Sequence, residues 1–109
     1  MAKNLELVLL LDCYGELLTA RQRDLAELYY NEDLSLSEIA EMREITRQAV
    51  RDSLRHSEAV LLSTEKKLGM AARIRAMRRC LEEIRQQCAD GSPDLQKITE
   101  LTDTGLRLL

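Results

Sequence analysis

The stretch Leu34–Leu54, LSLSEIAEMREITRQAVRDSL, constrains the fold more than any other part of the chain. Ser35 precedes Glu38 by three residues, the spacing at which a cap hydroxyl and a returning carboxylate satisfy each other's backbone donors. Ile39 and Ala40 then face inward, and Ala40 is small enough for a second helix to cross closely. Residues 42–45 read as a corner. Thr46 is a suitable N-cap for a second helix that buries Ala49, Val50 and Leu54. Arg47, Gln48, Arg51, Asp52 and Arg55 are left outside. Two short helices joined in this way make the pattern of a helix-turn-helix, whose second helix can enter a DNA major groove. An ordinary αα corner with a solvated arginine face gives the same pattern. Arg47, Arg51 and Arg55 recur at i, i+4 and i+8 as a single ridge, which favours an anion-facing helix.

The composition around this motif points to helices. Leucine dominates, Phe and Trp are absent, and there is one proline, a bias toward helix and away from strand. An all-α fold is expected: a helix-turn-helix core with a long C-terminal helix, able to add a helical hairpin. Residues 1–68 read as an N-terminal helix plus the helix-turn-helix domain. Residues 69–109 read as a C-terminal helical extension, either part of the same domain or a dimerisation element.

The net charge of −3 argues against bulk attraction to nucleic acid, but the charge is unevenly placed. Residues 1–45 carry four basic and ten acidic side chains, whereas residues 46–88 carry ten basic and five acidic. The basic section begins at the proposed recognition helix, which suits a localised anionic partner.

Leu7, Leu10, Leu11, Tyr14, Leu17 and Leu18 form a helical stripe, predicting a first helix over 4–18. Leu5, Val8 and Leu9 add apolar surface on its flank, to be covered by the C-terminal part or by a second subunit. Thr19 and Gln22 make a capping box, so a second helix starts near Ala20. Leu25, Leu28 and Tyr29 supply its inner face. Tyr29 and Tyr30 are adjacent and cannot both face inward, so one is expected in the core and the other exposed or packed at an edge.

No breaker stands between Ser57 and Lys67, and the chain is expected to stay helical to near Gly69. Beyond it, Met70, Ile74, Met77, Leu81, Ile84 and Cys88 repeat with heptad steps, short of the roughly three to four heptads of a coiled coil. Arg73, Arg75, Arg78, Arg79 and Arg85 decorate the other faces as solvated groups. In Asp90-Gly91-Ser92-Pro93, Gly91 can stop one helix in a left-handed conformation, and Ser92-Pro93 can cap and begin the next. The last segment, with Leu95, Ile98, Leu101 and Leu108, either folds back as a hairpin or leaves the seam to a partner chain. Leu5, Val8, Leu9, Met70, Ile74, Met77, Leu81 and Ile84 are the candidate interface of a homodimer, because they offer more apolar surface than so short a chain buries.

Other chemistries find no support. Cys13, Cys80 and Cys88 have no metal-ligand spacing and are expected as reduced, buried or half-buried apolar residues. The run Leu5–Leu11 is too short for a membrane span of about 18 residues. It is also a poor signal peptide, so the protein is expected in the cytoplasm. There is no glycine-rich phosphate loop, no nucleophile turn and no second histidine. Neither an enzyme nor a cofactor is expected.

The segments LLTARQRDLAELYYNEDLSLSEIAE and TRQAV, with a leucine-rich helix in front, resemble the YlxM-type bacterial proteins. The resemblance covers roughly residues 5–68 and rests on Leu-Tyr-Tyr, Asp-Leu-Ser-Leu, Glu-Ile-Ala-Glu and Arg-Gln-Ala-Val. It implies a small helix-turn-helix protein akin to region 4 of sigma factors, thought to bind DNA. The gene in such bacteria commonly lies beside those of the signal recognition particle, which implies a part in co-translational targeting. This chain departs from the family at Arg43 and Glu44, where relatives usually carry an apolar residue and then Asn, Asp or Gly. Arg51 stands where an aromatic is frequent.

Two functions follow as expectations. In the first, a regulator binds DNA: Arg47, Gln48, Arg51 and Arg55 meet the groove, where Arg and Gln pair bidentately with guanine and adenine. Ser37 and Thr46 reach phosphates from helix N-termini. In the second, a protein-interaction module docks the same ridge on signal recognition particle components without reading duplex DNA.

Overall fold

The computed structural model describes residues 4–109, and among them it contains six α-helices and no strand. The chain divides into two compact units, residues 1–68 and 69–109.

In the first unit each helix begins at a side chain suited to the task. Asn4 accepts from the Glu6 amide at 2.9 Å and opens α1, Leu5–Tyr14. The helix predicted over 4–18 is shorter than its leucine stripe. It tightens into a 3₁₀ turn over Gly15–Leu17, because Leu18 must be extended to lead into the Thr19 cap. Thr19 and Gln22 form the expected capping box at the head of α2, Ala20–Tyr30. Ser35 and Glu38 do the same for α3, Leu36–Arg43. Thr46 Oγ1 accepts from the Ala49 amide at 3.0 Å and starts α4, Arg47–Leu68, which runs unbroken for 22 residues.

Helix α4 is the spine of this unit, packed against α1, α2 and α3. Val50, Leu54, Ser57 and Leu61 fall on its inner face, and Leu10, Leu25 and Ile39 meet the same core without solvent exposure beyond 1%. Each such side chain contributes roughly 1.5–3 kcal/mol by leaving water. The inner face of α2 is centred on Leu25, Ala26 and Tyr30, whereas Leu28 and Tyr29 are half-buried. The shift has a polar cause: the Tyr30 hydroxyl donates to Glu58 Oε1 on α4. A second bond of the same kind runs from the Tyr14 hydroxyl on α1 to Glu65 Oε1, at 2.6 Å. Glu58 and Glu65 are two turns apart on one face of α4, so the two bonds fix its rotation against both earlier helices. Burial, then the Glu58 acceptor, pushes the Tyr30 hydroxyl far above its ordinary pKa of 10.0. On the flank of α1, Leu5 is exposed while Val8 and Leu9 are half-buried.

The second unit is a helical hairpin. Gly69, at φ 63°, precedes α5, Met70–Ala89, and α6, Leu95–Leu108, folds back along it. Gly69 takes the left-handed position, and Gly91 does not. Helix α5 instead ends where Asp90 becomes extended (φ −72°, ψ 145°). The cap of α6 is Asp94, which accepts from the Lys97 amide at 3.2 Å, and not Ser92. A proline disfavours helical backbone at the residue before it, so Ser92 is a poor place for the helix to restart. Gly105 lets the two helices close: a Cβ there would stand 3.3 Å from Met77 Sδ and 3.9 Å from Cys80 Cβ.

This packing splits the heptad seam. Met77 and Ile84 are half-buried, whereas Met70, Ile74, Leu81 and Cys88 are exposed. The expectation that Cys88 would be at least half-buried is corrected by its place on this uncovered strip. No helix among the described residues is long and apolar enough to cross a membrane.

Candidate nucleic-acid interface

The corner between α3 and α4 depends on one non-glycine residue in a left-handed conformation. Glu44 adopts φ 54°, ψ 45°, and its N–H reaches the carbonyls of Ala40 and Glu41. The Ile45 amide also donates to Ala40 O at 3.0 Å. These bonds close the C-terminus of α3 in the manner of a Schellman motif, at a strain of about 1 kcal/mol for the β-carbon. The chain then has only Ile45 and Thr46 before α4 begins, and this fixes where the first turns of α4 stand relative to α3. Arg43 takes no part in the ridge. Its guanidinium holds Asp24 of α2 through two bonds, Nε to Oδ2 at 2.7 Å and Nη2 to Oδ1 at 2.9 Å. That hydrogen-bonded guanidinium keeps the Asp24 carboxyl below its ordinary pKa of 3.8.

Arg47, Gln48, Arg51 and Arg55 are all exposed on α4. None of the three guanidinium groups makes an ion pair or hydrogen bond to another described residue. They span about 12 Å of helix, close to the width of a major groove. Gln48 differs: its Nε2 donates to Asp52 Oδ1 at 2.8 Å, so one amide proton is engaged and an acid lies beside the ridge. Thr46 uses its oxygen as an acceptor for the cap and keeps its hydroxyl proton for an outside acceptor.

The structure brings Ser37 and Arg47 together. Both line a shallow depression of about 290 Å³, with Tyr29, Asp33 and Glu38. Tyr29 and Asp33 were not legible as parts of this place. The only hint is the tyrosine pair itself, since Tyr30, once committed to the core, sends its neighbour to the edge. Among the described residues no group of His, Cys, Asp and Glu could hold a metal ion. Burial, then Glu65 and Asp12, raises the Cys13 thiol above its ordinary pKa, away from reactive thiolate character.

With the corner and its exposed ridge in view, comparison with known proteins gives a consistent result. Residues 1–101 match the model of a family described as "UPF0122: Putative helix-turn-helix protein, YlxM / p13 like". The chain belongs to the UPF0122 family. Membership extends past residue 68, where the motif resemblance ends, and takes in α5 and the first half of α6. A UPF0122 protein of Desulforamulus reducens is 50% identical over 76 residues, 70% of this chain and 65% of that protein. One of Clostridium kluyveri is 49% identical over 70 residues, 64% of this chain and 63% of that protein. The matched stretch thus spans just under two thirds of these two relatives. One of Oceanobacillus iheyensis is 39% identical over 94 residues, 84% of this chain and 90% of that protein. The names of these relatives specify no ligand or partner.

Proposed function

We propose that this UPF0122 chain is a non-enzymatic regulator that binds duplex DNA through the first turns of α4. The observation that carries the reading is the ridge of Arg47, Arg51 and Arg55, solvent-facing and unpaired among the described residues directly after the Glu44 corner. Arginines so placed reach guanine edges or phosphates, while Gln48 reads a base once it leaves Asp52. Ser37 and Thr46 donate to phosphates at the heads of α3 and α4. The test is fluorescence anisotropy with a duplex enriched from a random-sequence pool, comparing the parent chain with Arg47→Ala/Arg51→Ala. A loss of about tenfold or more is expected, since each bidentate arginine contact discriminates by about 1–3 kcal/mol. Unchanged binding at moderate salt would remove this face from the reading.

The second reading is a protein-interaction module in the signal recognition particle pathway, the ridge docking on components of that particle. It is favoured by the Gln48–Asp52 bond and the overall charge of −3, both unusual for a groove-reading surface. Titration of the purified particle, with and without its RNA, separates the two. Tighter binding to the particle than to any enriched duplex, lost in the same double variant, would support the second.

A further inference from the structure

The hairpin of the second unit leaves an apolar groove open along α5. Ile74, Met77 and Leu81 line it, with Leu108 and Leu109 of the C-terminal end, around a volume of about 680 Å³. Ile74 is 38% and Leu81 57% exposed, although both belong to the apolar stripe of α5. From Met70 to Arg85 the groove follows about 22 Å of helix, enough for about four turns of another helix laid beside it.

Charge along the groove is one-sided. Arg73, Arg78 and Arg85 border it, with Glu82 as the single acidic side chain. The guanidinium groups of Arg78 and Arg85 make no ion pair or hydrogen bond to any described residue. A second copy of this chain is a poor occupant. Laying this groove on that of a second copy would bring Arg73, Arg78 and Arg85 of each together with only Glu82 between them, and like charges set against one another cost several kcal/mol. A helix bearing an apolar stripe flanked by Asp or Glu meets both features at once. The flexible side chains of Met70 and Met77 can adapt to such a stripe.

We propose that this groove receives an acidic amphipathic helix of a partner protein, its apolar face on Ile74, Met77 and Leu81 and its carboxylates on Arg78 and Arg85. The site uses no residue of α4 and does not depend on the DNA reading.

The probe is a fluorescein-labelled peptide of about 18 residues with leucine at every third or fourth position and glutamate on the flanks. Its control carries lysine in place of every glutamate, and both are titrated into the full chain. The acidic peptide should bind at least about tenfold more tightly, and its affinity should fall as salt rises through about 0.3 M. Leu81→Asp should abolish binding. Arg78→Glu/Arg85→Glu should reverse the preference toward the lysine peptide, a change that unfolding would not produce. Both sites are exposed, so urea midpoints should match the parent. Equal affinity for the two peptides, or binding unaltered in Leu81→Asp, would overturn the proposal. So would sedimentation equilibrium showing a dimer that Leu81→Asp converts to monomer, because a second copy would then be the occupant.

Discussion

The two units use leucine and arginine differently. In the first, Leu10 of α1, Leu25 of α2 and Leu61 of α4 are buried completely, and two tyrosine–glutamate bonds orient the helix that carries the exposed arginines. In the second, the buried residues are small: Ala71, Cys80 and Gly105. Large residues such as Leu81 stay at the surface. A rigid core therefore aims the α4 ridge, while the hairpin reserves much of its apolar area for the open face of α5. Arginine clusters alone do not distinguish the two regions; what lies between the arginines does. Between the α4 arginines the exposed residues are Gln48 and Asp52, and between those of α5 they include Ile74 and Leu81.

The sharpest contrast is a pair of leucine truncations measured by urea unfolding. Leu61→Ala should destabilise by about 2–5 kcal/mol, the usual cost of a cavity in a closed core. Leu81→Ala should change stability by less than about 0.5 kcal/mol, as for other surface sites. Similar losses at both would erase the distinction. Next, Tyr30→Phe leaves Glu58 without its donor and should cost about 1–3 kcal/mol in the same assay. Glu44→Gly should raise stability by about 1 kcal/mol by relieving the left-handed β-carbon, visible as an upward shift in melting temperature.

The smallest effect is a pH dependence at the tie between α2 and α3. Asp24 is held below its ordinary value of 3.8 in the folded chain. Its contribution to stability is therefore present above pH 3.8 and is lost as pH falls through the lower, folded value. Carboxyl-carbon NMR titration should show Asp24 returning to the ordinary range in Arg43→Ala, with a stability change smaller than any above because the pair is exposed.

Features governed by neighbours in sequence were legible in advance. The Thr19 and Ser35 boxes and the Thr46 cap each depend on residues three apart. The corner is equally local, its bonds spanning three to five residues around Glu44, which departs from the family pattern. Features governed by distant partners were not. The Tyr14–Glu65 and Tyr30–Glu58 bonds join residues 51 and 28 apart, and nothing local marks Glu58 or Glu65 as acceptors. Periodicity found the stripe on α5 but could not say how much of it α6 would cover. Gly105, whose missing side chain sets that coverage, has no local signature of a helix crossing. At the second break Gly91 looked like the left-handed stop, yet Asp90 and Asp94 bracket the turn with extended backbone and a carboxylate cap.

The most direct test of the account is an amide chemical-shift titration of the full chain with a mixed-sequence duplex of about 20 base pairs at low salt, where phosphate contacts dominate. Changes should concentrate at Ser37 and from Thr46 through Arg55. Changes confined to residues 69–109, or none on the first turns of α4, would contradict the claim that this ridge is the surface that meets DNA.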